Sequence, residues 1–104
     1  MVTRLCMQPA EIRKFQMEFY NALASNETLT GIASINYETL DGVYASGLSI
    51  TQTGIANGIG TNSLVEMVIT SGTDGETYRI EVLVTTTDNQ TLEGDGILFV
   101  SDKR

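Results

Sequence analysis

Apolar and polar residues alternate with a period of two along much of this chain. Tyr78, Ile80, Val82 and Val84 are interleaved with Arg79, Glu81, Leu83 and Thr85, and Val65, Met67 and Ile69 recur at the same spacing within Ser63 to Thr70. Successive side chains of a strand leave opposite faces, so each set predicts a strand with one face turned to a core. Gly31 to Glu38 reads the same way, with Ala33, Ile35 and Tyr37 on one face and Ser34 and Asn36 opposite. Gly47 to Thr53 is a shorter strand with Leu48 and Ile50 inward, and Gly96 to Val100 is an apolar closing run. Asp41-Gly42, Asn57-Gly58, Asp74-Gly75 and Asp88-Asn89 fall between these runs and suit tight turns. Short strands with turns at this spacing predict an all-β sandwich.

Tyr78 sharpens that expectation. In many immunoglobulin-like sandwiches a tyrosine near the start of the penultimate strand packs inward, and its hydroxyl bonds to backbone just upstream. Gly72 and Gly75 would let the chain turn tightly into such a position. A tyrosine that only favours a strand would give the same pattern.

The segment before the first clear strand fits two templates. As a helix, Ile12, Phe15, Phe19 and Leu23 fall on one stripe, with Pro9 near its start. As a strand, Phe15, Met17 and Phe19 alternate with Gln16, Glu18 and Tyr20. Periodicity alone does not separate them. Pro9, the single proline, divides a short N-terminal arm, residues 1–8, from a sandwich domain over 9–104.

Composition narrows the function classes. A chain of 104 residues holds one domain, and 41% hydrophobic residues suffice for a core. The net charge of −7 repels phosphate backbones and argues against nucleic-acid binding. Cys6 is the single cysteine, which excludes an internal disulfide. No signal-peptide core and no run of membrane-spanning length is visible, so a reducing cytoplasm is expected, at least until assembly. The sequons at Asn26 and Asn89 are matches expected by chance in a chain rich in Ser and Thr.

Catalytic chemistry is scarce. Histidine, the commonest general base and metal ligand, is absent. Cys6 has no activating partner in sequence. Asp88-Asn89 and Glu93-Gly94-Asp95-Gly96 could bring three oxygens near one loop, but they lack the alternating ligands and terminal glutamate of a calcium loop, and solvated turns are expected there. Gly54 to Gly60 has the glycines of a phosphate loop without the following Lys-Ser/Thr or helix, and reads as a hairpin loop. No catalytic residue, metal or cofactor is expected.

Two stretches together resemble a known family. Pro9 and Glu11, then Phe15, Glu18-Phe19, Leu23 and Asn26-Glu27-Thr28-Leu29 are similar to the opening of phage fiber-tail adaptor proteins. Ser71-Gly72-Thr73-Asp74-Gly75-Glu76-Thr77-Tyr78 resembles their glycine-rich ramp, one glycine short, and Thr85-Thr86-Thr87 their threonine strand end. The resemblance covers roughly Pro9 to Val100. The chain departs from the pattern in having no tryptophan and in carrying Asn26 where the family has glycine.

The resemblance implies an immunoglobulin-like β-sandwich of about seven short strands and makes Phe15 to Phe19 a strand. It implies a structural virion protein of a tailed bacteriophage, an adaptor joining the tail to fibres or spikes. Its partners would be other virion proteins, met in multiple copies within a symmetric assembly, with no nucleic acid and no membrane. The protein would be assembled in the host bacterial cytoplasm and would end in the virion tail. Other phage head, neck or decoration proteins, and host-encoded protein- or carbohydrate-binding modules, are the alternatives. In this reading the arm is too apolar to remain in water and orders against a neighbouring virion protein through Arg4, Leu5 and Met7. The loop around Ile55 and Ile59 is the second candidate contact.

Overall fold

The structure is a computed structural model that describes residues 2–40 and 48–101, apart from the side chains of Val2, Thr3 and Gln52. The expected turn at Asp41-Gly42 and the expected strand start at Gly47 lie outside the described residues. The described chain forms seven strands: β1 (Val2–Met7), β2 (Arg13–Glu18), β3 (Leu29–Thr39), β4 (Ser49–Ala56), β5 (Leu64–Thr70), β6 (Thr77–Thr86) and β7 (Thr91–Val100). A single turn of 3-10 helix, Tyr20–Ala22, follows β2.

The strands make a four-stranded sheet in the order β1-β7-β6-β3 and a three-stranded sheet in the order β2-β5-β4. All pairings are antiparallel except β1 with β7, which is parallel. In a constant-type immunoglobulin sandwich the first strand sits beside the second; here β1 lies on the opposite sheet from β2. The chain crosses between the sheets at a turn in which the Glu11 N–H donates to the Gln8 carbonyl at 3.1 Å. Pro9 presets the backbone of that turn. The Glu11 carboxylate closes it a second time by accepting the Gln8 N–H at 2.6 Å.

The core lies between the sheets. Tyr78, Ile80, Val82 and Val84 of β6 are fully buried, as are Val65, Met67 and Ile69 of β5 and Leu98 and Val100 of β7. Facing them, β2 supplies Phe15 and Met17, with Phe19 just beyond its end. Residues 13–18 of the ambiguous segment are therefore a strand, because their period-two set meets this core. Tyr78 accepts a hydrogen bond on its hydroxyl from the Thr73 N–H at 3.2 Å, which anchors the ramp ahead of β6.

Three expectations need correction. Residues 2–7 are not an arm outside the core: they form β1, and Leu5 and Met7 alternate inward while Arg4 and Cys6 face out. The inward face of β3 is Leu29, Ile32, Ile35 and Tyr37, while Ala33 is exposed. An irregularity between Ile32 and Ser34 inserts one residue, which shifts the alternation by one position. Finally, β4 continues through Gly54, Ile55 and Ala56, with its own irregularity between Thr51 and Gly54, so the hairpin loop begins only at Asn57.

Candidate functional site

Three connections meet at one end of the sandwich. These are residues 19–28 between β2 and β3, 57–63 between β4 and β5, and 87–90 between β6 and β7. Backbone bonds join them: Phe19 N–H to Ser63 O at 2.8 Å, Leu29 N–H to Asn62 O at 2.9 Å, and Thr87 N–H to Thr28 O at 2.9 Å. Between the first two connections lies an open groove of about 630 Å³, lined by Tyr20, Leu23, Asn26, Thr28 and Ser63 among others.

Two glutamates organise this end. Glu18, the last residue of β2, accepts the Ile59 N–H on Oε1 at 2.7 Å and the Tyr20 N–H on Oε2 at 3.2 Å. Burial pushes its carboxyl up, but hydrogen bonds from the Ser63 side chain and from the backbone of Ile59, Tyr20 and Phe19 together hold it below its ordinary value. Glu27 closes the turn Ala24–Glu27 reciprocally: its N–H donates to Ala24 O at 3.0 Å, and its Oε1 accepts the Ala24 N–H at 2.8 Å. Its Oε2 accepts the Thr86 hydroxyl at 2.5 Å. The Thr86 bond, then the Ala24 bond, lowers the Glu27 carboxyl despite burial. Both carboxylates accept bonds internal to the fold, which favour their ionised forms.

A second group of carboxylates lies on the outer face of the four-stranded sheet. Oxygens of Glu81, Glu93 and Asp95 lie within 4.8 Å of one another. Glu93 and Asp95 are thus strand residues of β7, and the third carboxylate beside them is Glu81 of β6, opposite Asp95 in register. Asp88 stays in the turn before β7. Arg79 bonds Glu81 at 2.5 Å. The Glu93 carboxyl is raised by its hydrogen bond to Asp95, by the charges of Asp95 and Glu81, and by burial, with Arg79 opposing. Three oxygens of this kind could face a hard cation, but Arg79 already pairs with Glu81.

The five residues expected to bind partners are dispersed. Leu5 and Met7 are buried in the core. Arg4 stands on the outer face of β1, with its guanidinium 5.1 Å from the centre of the Phe99 ring. Ile55 is half-buried and packs against the core from β4. Ile59 alone projects from the loop end, 70% exposed, and Tyr20 on the neighbouring connection is 47% exposed. Sequence reasoning missed Glu18 and Glu27 as organising groups, because a glutamate next to a turn carries no sign of which N–H groups will meet it.

A family model described as podophage GP4 fiber-tail adaptor protein gp77 matches residues 7–98. The chain belongs to that family. No curated protein and no solved structure gives a significant match. The adaptor family is one of structural virion proteins of the phage tail, and its members work among tail and fibre proteins. The matched segment takes in β2 to β6 whole and β7 as far as Leu98, but of β1 only Met7. Within it, the φ of Asn26 is 66°. Asparagine tolerates that left-handed backbone better than most residues.

Proposed function

We propose that this protein is a connector of the virion tail that joins fibres or spikes to the tail body through protein–protein contacts, in many copies of one symmetric assembly. The family match along nearly the whole chain carries this reading. It is a scaffold rather than an enzyme, it assembles in the host bacterial cytoplasm, and it engages neither nucleic acid nor membrane. Support for a scaffold comes from a chain with no histidine and a net charge of −7, and from carboxylates at the loop end that are spent on internal bonds. Each copy needs only a modest interface, because repetition around an axis multiplies weak contacts.

Arg4 and Ile59 are the surface contacts in this proposal. Leu5 and Met7 act indirectly, by holding β1, and with it Arg4, against β7. An amber mutation in the gene tests the role. Particles made without the protein should carry tails without fibres and fail to adsorb, whereas particles that keep their fibres would overturn it.

A further inference from the structure

The four-stranded sheet has two edges, β1 and β3, and no described strand pairs with the far side of either. An open edge accepts another strand unless it is bulged, charged along its length or covered. β1 keeps an unbroken register with β7 from Val2 to Met7, and β3 keeps one with β6 from Ser34 to Thr39, beyond its irregularities. The two edges also run in the same direction, because β1 is parallel to β7 and two antiparallel pairings separate β7 from β3. These registers fix which residues lie at one height across the sheet. Arg4 is level with Ile97, Ile97 with Arg79, and Arg79 with Glu38. Cys6 is level with Phe99 and Phe99 with Thr77, whose carbonyl accepts the Leu40 N–H at 3.2 Å. Arg4, Cys6, Glu38 and Leu40 are all exposed. One edge therefore carries a cation at the height where the other carries an anion. Among the described residues, Arg4 is the cation without a carboxylate partner, since Arg13, Lys14 and Arg79 pair with Glu11, Glu66 and Glu81.

We infer that β1 of one copy of this chain adds to the open edge of β3 in the next copy, parallel and head to tail, with Arg4 beside Glu38 of that copy. The inference rests on the adaptor reading and its many copies, and deepens it by naming the contact between them. Main-chain hydrogen bonds supply the adhesion, as in any added strand. Rotation about an axis parallel to the strands moves residues around the axis but not along it, so residues at one height meet. Head-to-tail contacts of this kind close into rings. Charge selects this pairing over the symmetric ones. Two β1 edges across a two-fold would bring two Arg4 side chains near one another, and two β3 edges would do the same for Glu38, and like charges on facing strands destabilise. The second sheet permits the continuation as well. β1 lies over β2 and β3 over β4, so β2 of one copy would meet β4 of the next, where Lys14 is level with Val68 and hence with the neutral Thr51. The net charge of −7 keeps free copies apart. Joining therefore awaits the tail, where neighbours are held at high local concentration.

The test uses particles of a phage with an amber mutation in this gene, grown in a host that supplies the full-length chain from a plasmid. The particles are treated with a short bis-maleimide and immunoblotted. Leu40→Cys should give a ladder of dimers, trimers and larger species, each link joining Cys6 to the cysteine at position 40. The wild type, whose single cysteine is Cys6, and Ile59→Cys, at the opposite end of the sandwich, should stay monomeric. Arg4→Glu added to Leu40→Cys should lower the cross-linked fraction by roughly threefold or more, and Glu38→Arg added to both should restore it. All these side chains are exposed, so melting temperatures should match the wild type. A Leu40→Cys chain that enters tails yet stays monomeric overturns this inference and leaves the adaptor reading standing. So does a ladder that stops at dimers, a wild type that dimerises through Cys6, or a charge reversal that Glu38→Arg does not repair. If Leu40→Cys fails to enter tails, the charge reversals are read in the wild-type background as incorporated chain. Loss with Arg4→Glu and recovery with both then support the contact, and no loss or no recovery overturns it. If the wild type itself is missing from tails, the adaptor reading fails and takes this inference with it.

Discussion

The Thr86 hydroxyl donates to the buried Glu27 carboxylate at 2.5 Å, tying the connection after β2 to the turn before β7. The same oxygen of Thr86 accepts the N–H groups of Asp88 and Gln90, both at 3.2 Å. One hydroxyl thus serves three partners. Thr86→Val keeps the shape and removes all three bonds, leaving two N–H groups and a carboxylate oxygen without their partner. We expect the melting temperature to fall by roughly 5 °C, Thr86→Ser to restore most of it, and hydrogen exchange at Asp88 and Gln90 to quicken. Unchanged exchange in the valine variant would show that this hydroxyl does not hold the turn.

The facing sheet presses directly on β7 at Gly94. A Cβ there would overlap the Met17 sulfur and lie 2.7 Å from the Phe19 ring. Val82 is opposite Gly94 in register and fully buried. Gly94→Val should therefore cost about 1–3 kcal/mol through overpacking. Val82→Ala should cost about 2 kcal/mol through lost burial and a small cavity. Urea denaturation measures both. A Gly94→Val variant as stable as the wild type would mean that Met17 and Phe19 can retreat.

These glycines also explain what the sequence could and could not reveal. The strands β5 and β6 were legible because their inward positions are large and apolar. The first half of β7 was not, since Leu92 is followed on its inward face by Gly94 and Gly96, which leave no sustained alternation to see. In β3 the extra residue near Ala33 put Ile32 and Ile35 on one face at a spacing of three, which no period-two template matches. At the loop end, the exposure of Ile59 could be guessed from its flanking glycines. Its fixation by Glu18, from a strand 41 positions away, depends on a tertiary contact with no local signal.

β1 gives a sharper reversal. A short apolar segment before the only proline looked like a free arm, because its partner β7 is at the far end of the chain. In the fold Met7 is 1% exposed, and the Ser101 N–H bonds its carbonyl at 3.0 Å. Met7→Ala should cost about 2–4 kcal/mol, and deleting residues 2–7 should lower the urea midpoint severely rather than leave it unchanged. A deletion variant that melts like the full chain would restore the free-arm view.

Carboxylates on the two surfaces make opposite predictions for pH. Glu93 is raised by Asp95 and by Glu81, so the folded state favours its protonated form. A raised group contributes stability below the ordinary glutamate value, about 4.3, and loses it as pH rises through the raised value. At neutral pH the ionised Glu93 therefore works against the fold. Glu27 is lowered by Thr86 and Ala24, so its contribution is present above the ordinary value and disappears as pH falls through the lowered one. Melting temperatures taken between about pH 3 and pH 7 should place Glu93→Gln above the wild type at the neutral end, with the gap closing as acid protonates the native glutamate. Glu27→Gln should lie below the wild type at the neutral end and converge with it in acid. A Glu93→Gln variant that melts lower than the wild type at neutral pH would mean that this carboxylate is satisfied by Arg79 and is not strained by its neighbours.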